Sequence, residues 1–223
     1  MSAGVAVAIA AKDLRMEWRS KAALSAVVPF AATVLLAFGF ALGPDRNLLV
    51  QTAPGLLWLA GLFSAVDLLH RTYQAEAERG ALDGLLLAPV DRGAIYLGKA
   101  AAVAVQLAVL FVLTGLLTAL LFGLPLGEAP VLLLLTTVLG IIGLASLGSL
   151  FGLLSVVGRS RQAALPILVL PLVSPVLIAA IRATGLLATG NTDQVAGWLG
   201  LLAAFDAAFL ATGYLVFGHL LED

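Results

Sequence analysis

The sequence predicts an all-α integral membrane protein with six transmembrane helices, an N-terminal interfacial helix, and a cytoplasmic coupling helix between spans two and three. Three observations lead there. Of its 223 residues, 61% are hydrophobic and only 11% are charged, too few polar side chains to cover a water-soluble globule. Six apolar runs are each long enough to cross ~30 Å of hydrocarbon. The charges collect in a few places between those runs rather than spreading over a surface.

The whole chain, 1–223, reads as one transmembrane domain. Residues 8–21 form its first element. Lys12, Arg15 and Arg19 follow at i, i+3 and i+7, and Ala11, Leu14 and Trp18 form a neighbouring apolar stripe. Basic residues toward lipid headgroups with a Trp at the boundary are the pattern of a helix lying on a membrane. These charges come after the weakly apolar start rather than before it, so a cleavable signal peptide is not expected.

The six spans are expected at 22–42, 52–69, 94–122, 131–157, 163–181 and 195–218. Turns at Gly43-Pro44-Asp45, Gly123-Leu124-Pro125 and Thr189–Gln194 separate them on one side. Lys and Arg counted by loop give four in the N-terminal flank, four between residues 71 and 99 and two at Arg159 and Arg161; the alternate side has Arg46 and Arg182. That asymmetry places both termini and the 71–99 segment in the cytoplasm.

Two packing signals lie within the spans. Ala145, Gly148, Ser149 and Gly152 line one stripe of the fourth, including one GxxxG pair that permits close approach of a neighbour. The fifth carries Pro166, Pro171 and Pro175, each removing a backbone donor, so a bent or partly unwound helix is expected there. It serves either as a gating element or as a packed, kinked helix.

The stretch from Arg71 to Lys99 is the longest a bilayer would refuse. Within it, 74–88 reads as a short amphipathic helix. Glu76, Arg79 and Asp83 share one face, and Ala75, Leu82, Leu85 and Leu86 form the other. Pro89 and the Asp91-Arg92-Gly93 turn end it. An acidic amphipathic helix between two spans is a docking surface or a solvated loop.

Several chemistries are excluded or left open. No cysteines are present, which removes disulfides, thiolate metal sites and covalent c-type haem attachment. A net charge of −1 with no basic face excludes nucleic acid. Gly93 to Ala100 matches the phosphate-loop pattern G-x-x-x-x-G-K-[ST] except at its last position, where Ala replaces the magnesium-holding hydroxyl. No strand precedes it, and no ATPase fold fits in the remaining chain. His70 and His219 sit at span ends without a surrounding ligand cluster. Asp206, near the middle of the last span, costs roughly 2.5–3.5 kcal/mol if ionised in hydrocarbon. It is a proton or substrate site, or a polar tie to a neighbouring helix or subunit. Asp67 is near enough to Arg71 to pair with it.

The segment Glu76, Glu78, Arg79, Gly80, Asp83 and Pro89, followed by Gly98-Lys99, resembles the cytoplasmic signature of ABC-2-type exporter permeases. Ala53-Pro54-Gly55 with Trp58, Gly123 to Leu126, Leu139 to Gly148 and the proline-rich 164–177 are similar to the cytochrome c maturation protein B family within that superfamily. Gly84 and Asp206 depart from the family pattern. The resemblance covers nearly the whole chain.

It implies a non-catalytic permease subunit in the bacterial inner membrane, pairing with a cytoplasmic ABC ATPase. It further implies a tryptophan-rich haem-handling membrane protein and a periplasmic haem chaperone as partners, and two copies of this subunit per complex. Haem and ATP are then handled by the complex, with no cofactor bound by this chain directly. ATP use drives release of the haem-loaded chaperone, and Glu76 to Pro89 is the ATPase-coupling segment. An ABC-2 permease for a lipid, drug or polysaccharide, a proton-coupled transporter using Asp206, and a non-transporting scaffold are the alternatives.

Overall fold

The computed structural model describes residues 2–20, 22–79, 90–125, 129–157 and 165–219. These residues form seven α-helices and one short 3-10 turn. They are α1 (Ser2–Ser20), α2 (Ala22–Leu42), α3 (Arg46–Arg79), α4 (Arg92–Phe122), α5 (Pro130–Val157), α6 (Leu165–Ala188) and α7 (Val195–His219), with the 3-10 turn at Thr192–Gln194 just before α7. Five of them, α3 to α7, contain stretches long and apolar enough to cross a membrane; the described apolar part of α2, Val27–Leu42, is shorter than that.

Turn chemistry sets the boundaries. Between α2 and α3, Gly43 takes φ +74°, a left-handed conformation open to glycine. Asp45 Oδ1 then accepts from the amides of Asn47 (2.9 Å) and Leu48 (3.3 Å), capping the start of α3. At the start of α4, Asp91 is the N-cap, its Oδ1 accepting from Gly93 N at 2.9 Å.

The helices pack in one bundle with α4 touching α1, α2, α3, α5 and α7. Its apolar core has three main tiers, with a smaller cluster of Ala183, Leu187 and Val195 joining α6 to α7. The middle tier gathers Trp58, Leu107, Phe111, Leu144, Val176 and Leu202. One end holds Ile9, Tyr73, Ile95, Tyr96, Leu150 and Phe217. The opposite end holds Leu35, Leu56, Leu57, Phe122 and Leu124. In the middle tier Trp58 lies 4.8 Å from the Phe111 ring and donates its indole N–H to Thr184 Oγ1 at 3.0 Å. That bond ties α3 to α6.

Several elements differ from their sequence expectation. The first helix begins at Ser2 rather than residue 8, because Val5 and Ile9 pack into the end tier. The second apolar run does not stop at residue 69: α3 continues without a break to Arg79. The acidic segment expected as a separate helix at 74–88 therefore begins as the continuation of a span. The fifth span runs past 181 to Ala188 and stays α-helical through Pro171 and Pro175, so it is not unwound there. Ser174 Oγ donates to the Pro171 carbonyl at 2.7 Å, and Pro166 lies in the first turn, where a missing donor costs nothing. Arg182 accordingly sits on a helix and not in a loop.

Candidate coupling site and the buried polar cluster beneath it

The acidic segment divides at the edge of the described residues. Glu76, Glu78 and Arg79 lie on the last turns of α3; Gly80, Asp83, Gly84 and Pro89 lie outside the described residues. What the structure supplies is the base on which this segment stands.

That base begins with α1. Ile9 and Asp13, one turn apart, are buried against α4, while Trp18 is 80% exposed and Ala11, Arg15 and Arg19 are also exposed. The helix turns one face to the bundle and leaves the expected Trp-containing stripe open. Gly98 makes the approach possible. A Cβ there would lie 2.7 Å from the Ala6 carbonyl oxygen and 2.9 Å from Ile9 Cβ, closer than real Cβ contacts come, so only glycine admits α1 at this distance.

Beside it, Lys99 Nζ lies 2.8 Å from Asp13 Oδ2, with the two side chains 2% and 7% exposed. Lys12 Nζ is 3.1 Å from the other carboxylate oxygen. It is near enough for charge pairing but off the direction that a hydrogen bond requires. A lysine this far into an apolar helix is tolerated because the carboxylate is brought to it; alone, either charge would stand uncompensated. The glycine and lysine that mimic a phosphate loop thus receive a neighbouring helix within the continuous helix α4.

Around this pair stand two buried tyrosines. Tyr96 donates its hydroxyl to the Ser146 carbonyl on α5 at 3.0 Å. Tyr73, near the end of α3, packs over Gly152, and Leu69 one turn earlier packs over Gly148. The small-residue stripe of α5 is therefore filled by side chains of α3. The Tyr73 hydroxyl and Ser149 Oγ are neighbours that miss hydrogen-bond geometry. Helices α4 and α7 interlock reciprocally: Tyr96 of α4 lies over Gly213, and Tyr214 of α7 lies over Gly93. The Tyr214 hydroxyl then donates to Asp91 Oδ2 at 2.8 Å, joining the cap of α4 to α7.

The profile of the family described as "CcmB protein" matches residues 4–222. The chain belongs to the CcmB family. Among curated relatives, "Heme exporter protein B" of Paracoccus denitrificans is 35% identical over 211 residues, 92% of this chain and 92% of that protein. The protein of that name from Rhodobacter capsulatus is 33% identical over 205 residues, 92% of each. That of Pseudomonas aeruginosa is 32% identical over 208 residues, 91% of this chain and 93% of the relative.

Asp13, Lys99, Tyr73 and Tyr96 are the residues that sequence reasoning passed over as a group. Lys99 carried a usable signal, a charge more than a turn inside an apolar run. Asp13 carried a weaker one, since it stands at i+4 from Ile9. Elsewhere, Arg71 Nε donates to Asp67 Oδ2 at 3.0 Å, as their spacing suggested. His70 beside them is exposed, and the side chain of His219 is outside the described set. Asp206 is 4% exposed, faces Gly143 of α5, and has no hydrogen-bond partner on either oxygen among the described residues.

Proposed function

We propose that this chain is the permease subunit of an ABC transporter complex in c-type cytochrome biogenesis. In this reading it couples ATP hydrolysis by a separate cytoplasmic ATPase to haem delivery and to release of the haem-loaded periplasmic chaperone. The observation that carries the reading is the continuity of α3. One continuous helix runs from the Asp45 cap to Arg79, and its last described turns bear Glu76, Glu78 and Arg79. Movement imposed on the acidic segment reaches α5 through Leu69 and Tyr73, seated over Gly148 and Gly152. The family match and the relatives' name, heme exporter protein B, support the haem assignment.

The rest of the arrangement belongs to the same proposal. Six spans cross the bacterial inner membrane, α2 included, with both termini in the cytoplasm. Lys12, Arg15, Trp18 and Arg19 rest at its inner surface. Two copies assemble with the ATPase and with a tryptophan-rich haem-handling membrane protein, and this chain holds no cofactor of its own. ATPase closure pushes Glu76 to Pro89, and α5 and the proline-bearing α6 transmit the shift.

Reversing both acids, Glu76→Lys with Asp83→Lys, tests the docking. The complex is expected to insert normally while ATP-dependent release of the loaded chaperone falls at least about tenfold, the order expected for charge pairs inverted at an interface. Undiminished release removes the docking assignment. Haem staining of a strain lacking this chain tests the pathway: mature c-type cytochromes should disappear while loaded chaperone stays in the membrane. Normal cytochromes point instead to an exporter of another cargo.

A second reading, proton coupling through Asp206, has its own motivation in a buried carboxylate with no hydrogen-bond partner among the described residues. Asp206→Asn abolishes transport in that reading, and the Glu76 and Asp83 reversal is then harmless.

A further inference from the structure

At the end of the bundle opposite α1, helices α3, α6 and α7 leave a cleft of about 630 Å³, within the ~300–1,000 Å³ range of small-ligand sites. Gln51 and Gly55 of α3, Arg182 and Gly185 of α6, Gln194 of the 3-10 turn and Trp198 of α7 line it. We propose that this cleft binds an amphipathic anion, its carboxylate or phosphate on Arg182 and its apolar body across Trp198.

The charge argues first. Arg182 lies on the apolar stretch Leu170–Ala188, about 9 Å along the helix from its end at 1.5 Å per residue. A cation at that depth in hydrocarbon is costly, and intramembrane ionisable residues face protein partners or water-filled cavities. The described residues give the guanidinium no carboxylate within ion-pair distance. The cleft is where it finds water or an anion. Its fork matches carboxylate and phosphate oxygens in a paired geometry that a lysine cannot reproduce.

The walls argue next. Trp198 is half-buried and packed into the middle tier of the core, so its indole is held while part of it lines the cleft. A Cβ on Gly55 would meet nothing within 4 Å, and one on Gly185 would reach only the Pro54 ring at 4.0 Å. Both positions therefore leave space that a larger side chain would take. Gln51 and Gln194, both exposed, add amide donors to its lining. One cation, an aromatic wall, apolar sides and two exposed amides suit a molecule with one charged end and one apolar end. The inference rests on this cleft and not on the coupling segment.

The test uses the purified full chain in non-ionic detergent with two probes. Haemin carries carboxylates on a flat apolar body, and a short-chain phosphatidylglycerol carries a phosphate on acyl chains. Binding is read by difference absorbance for haemin and by native mass spectrometry for the lipid. Arg182→Gln is expected to weaken at least one probe by about tenfold or more, the range for a hydrogen bond to a charged group. Arg182→Lys should fall between, and Gly185→Leu should block the same probe by filling the cleft.

Loss confined to haemin identifies a tetrapyrrole carboxylate, and loss confined to the lipid identifies a headgroup phosphate. Wild-type affinity for both probes in Arg182→Gln, or binding of neither probe by the unaltered chain, overturns the proposal. Arg182 is exposed, so its variants fold even if Gly185→Leu does not. The Glu76 and Asp83 reversal should leave probe binding intact, so this inference and the coupling reading fail separately.

Discussion

The two ends of the bundle treat charge in opposite ways. At the α1 end, Lys99 and Asp13 are buried together at 2.8 Å, and Tyr96 and Tyr214 spend their hydroxyls on Ser146 and Asp91. At the other end Arg182 opens into a cleft, with no carboxylate against it among the described residues. A buried cluster whose opposite charges are paired fixes helices to one another. An unsatisfied cation in a cleft is available to something else. The contrast divides the molecule into a braced end, from which α3 leads to the acidic segment, and an open end suited to a ligand.

The largest effect should come from breaking the brace. Lys99→Met leaves the Asp13 carboxylate buried without its closest counter-charge, a change of roughly 3–5 kcal/mol. Thermal unfolding of the purified protein should show a marked drop in Tm, and an exchange of the two charges (Asp13→Lys with Lys99→Asp) should recover part of it. An unchanged midpoint in Lys99→Met would mean the pair contributes nothing.

Gly98→Leu should come next, at about 1–3 kcal/mol for forcing bulk into a packed contact. Its signature is local. Helix α1 should become accessible to protease or to amide exchange before the rest of the bundle does, and a uniform loosening would argue against a dedicated α1 seat. Smallest of all, Arg182→Gln should change stability by less than about 0.5 kcal/mol, as exposed positions usually do. A large loss there would show that the open end is braced too, and the contrast would collapse.

Much of the architecture was legible because hydrophobic runs are long and turns are chemically marked. Gly43 with Asp45, and Gly123 at φ +71°, end helices where the sequence places turns. Boundaries were less legible where packing extends a helix past its apolar run. Helix was legible from residue 74 onward, but not its continuity with the span before it, which Tyr73 seated over Gly152 on another helix supports. The GxxxG pair of α5 was visible, but its occupant was not. In the same way, Gly98-Lys99 reads in the sequence as a chance phosphate-loop match, and only packing shows that α1 lies on it.

What the sequence alone determined is the class of solvent and the number of apolar runs, because transfer into lipid depends on composition summed over ~20 consecutive residues. It also carried the family, through motifs spread over the whole chain. Only the tertiary structure decided which charges are spent and which remain free. Asp13 and Lys99 are 86 positions apart, as are no two residues of a local motif, and Arg182 acquires its cleft from α3 and α7. A charge in a low-dielectric setting takes its meaning from its nearest partner, and that partner is chosen by packing between distant helices.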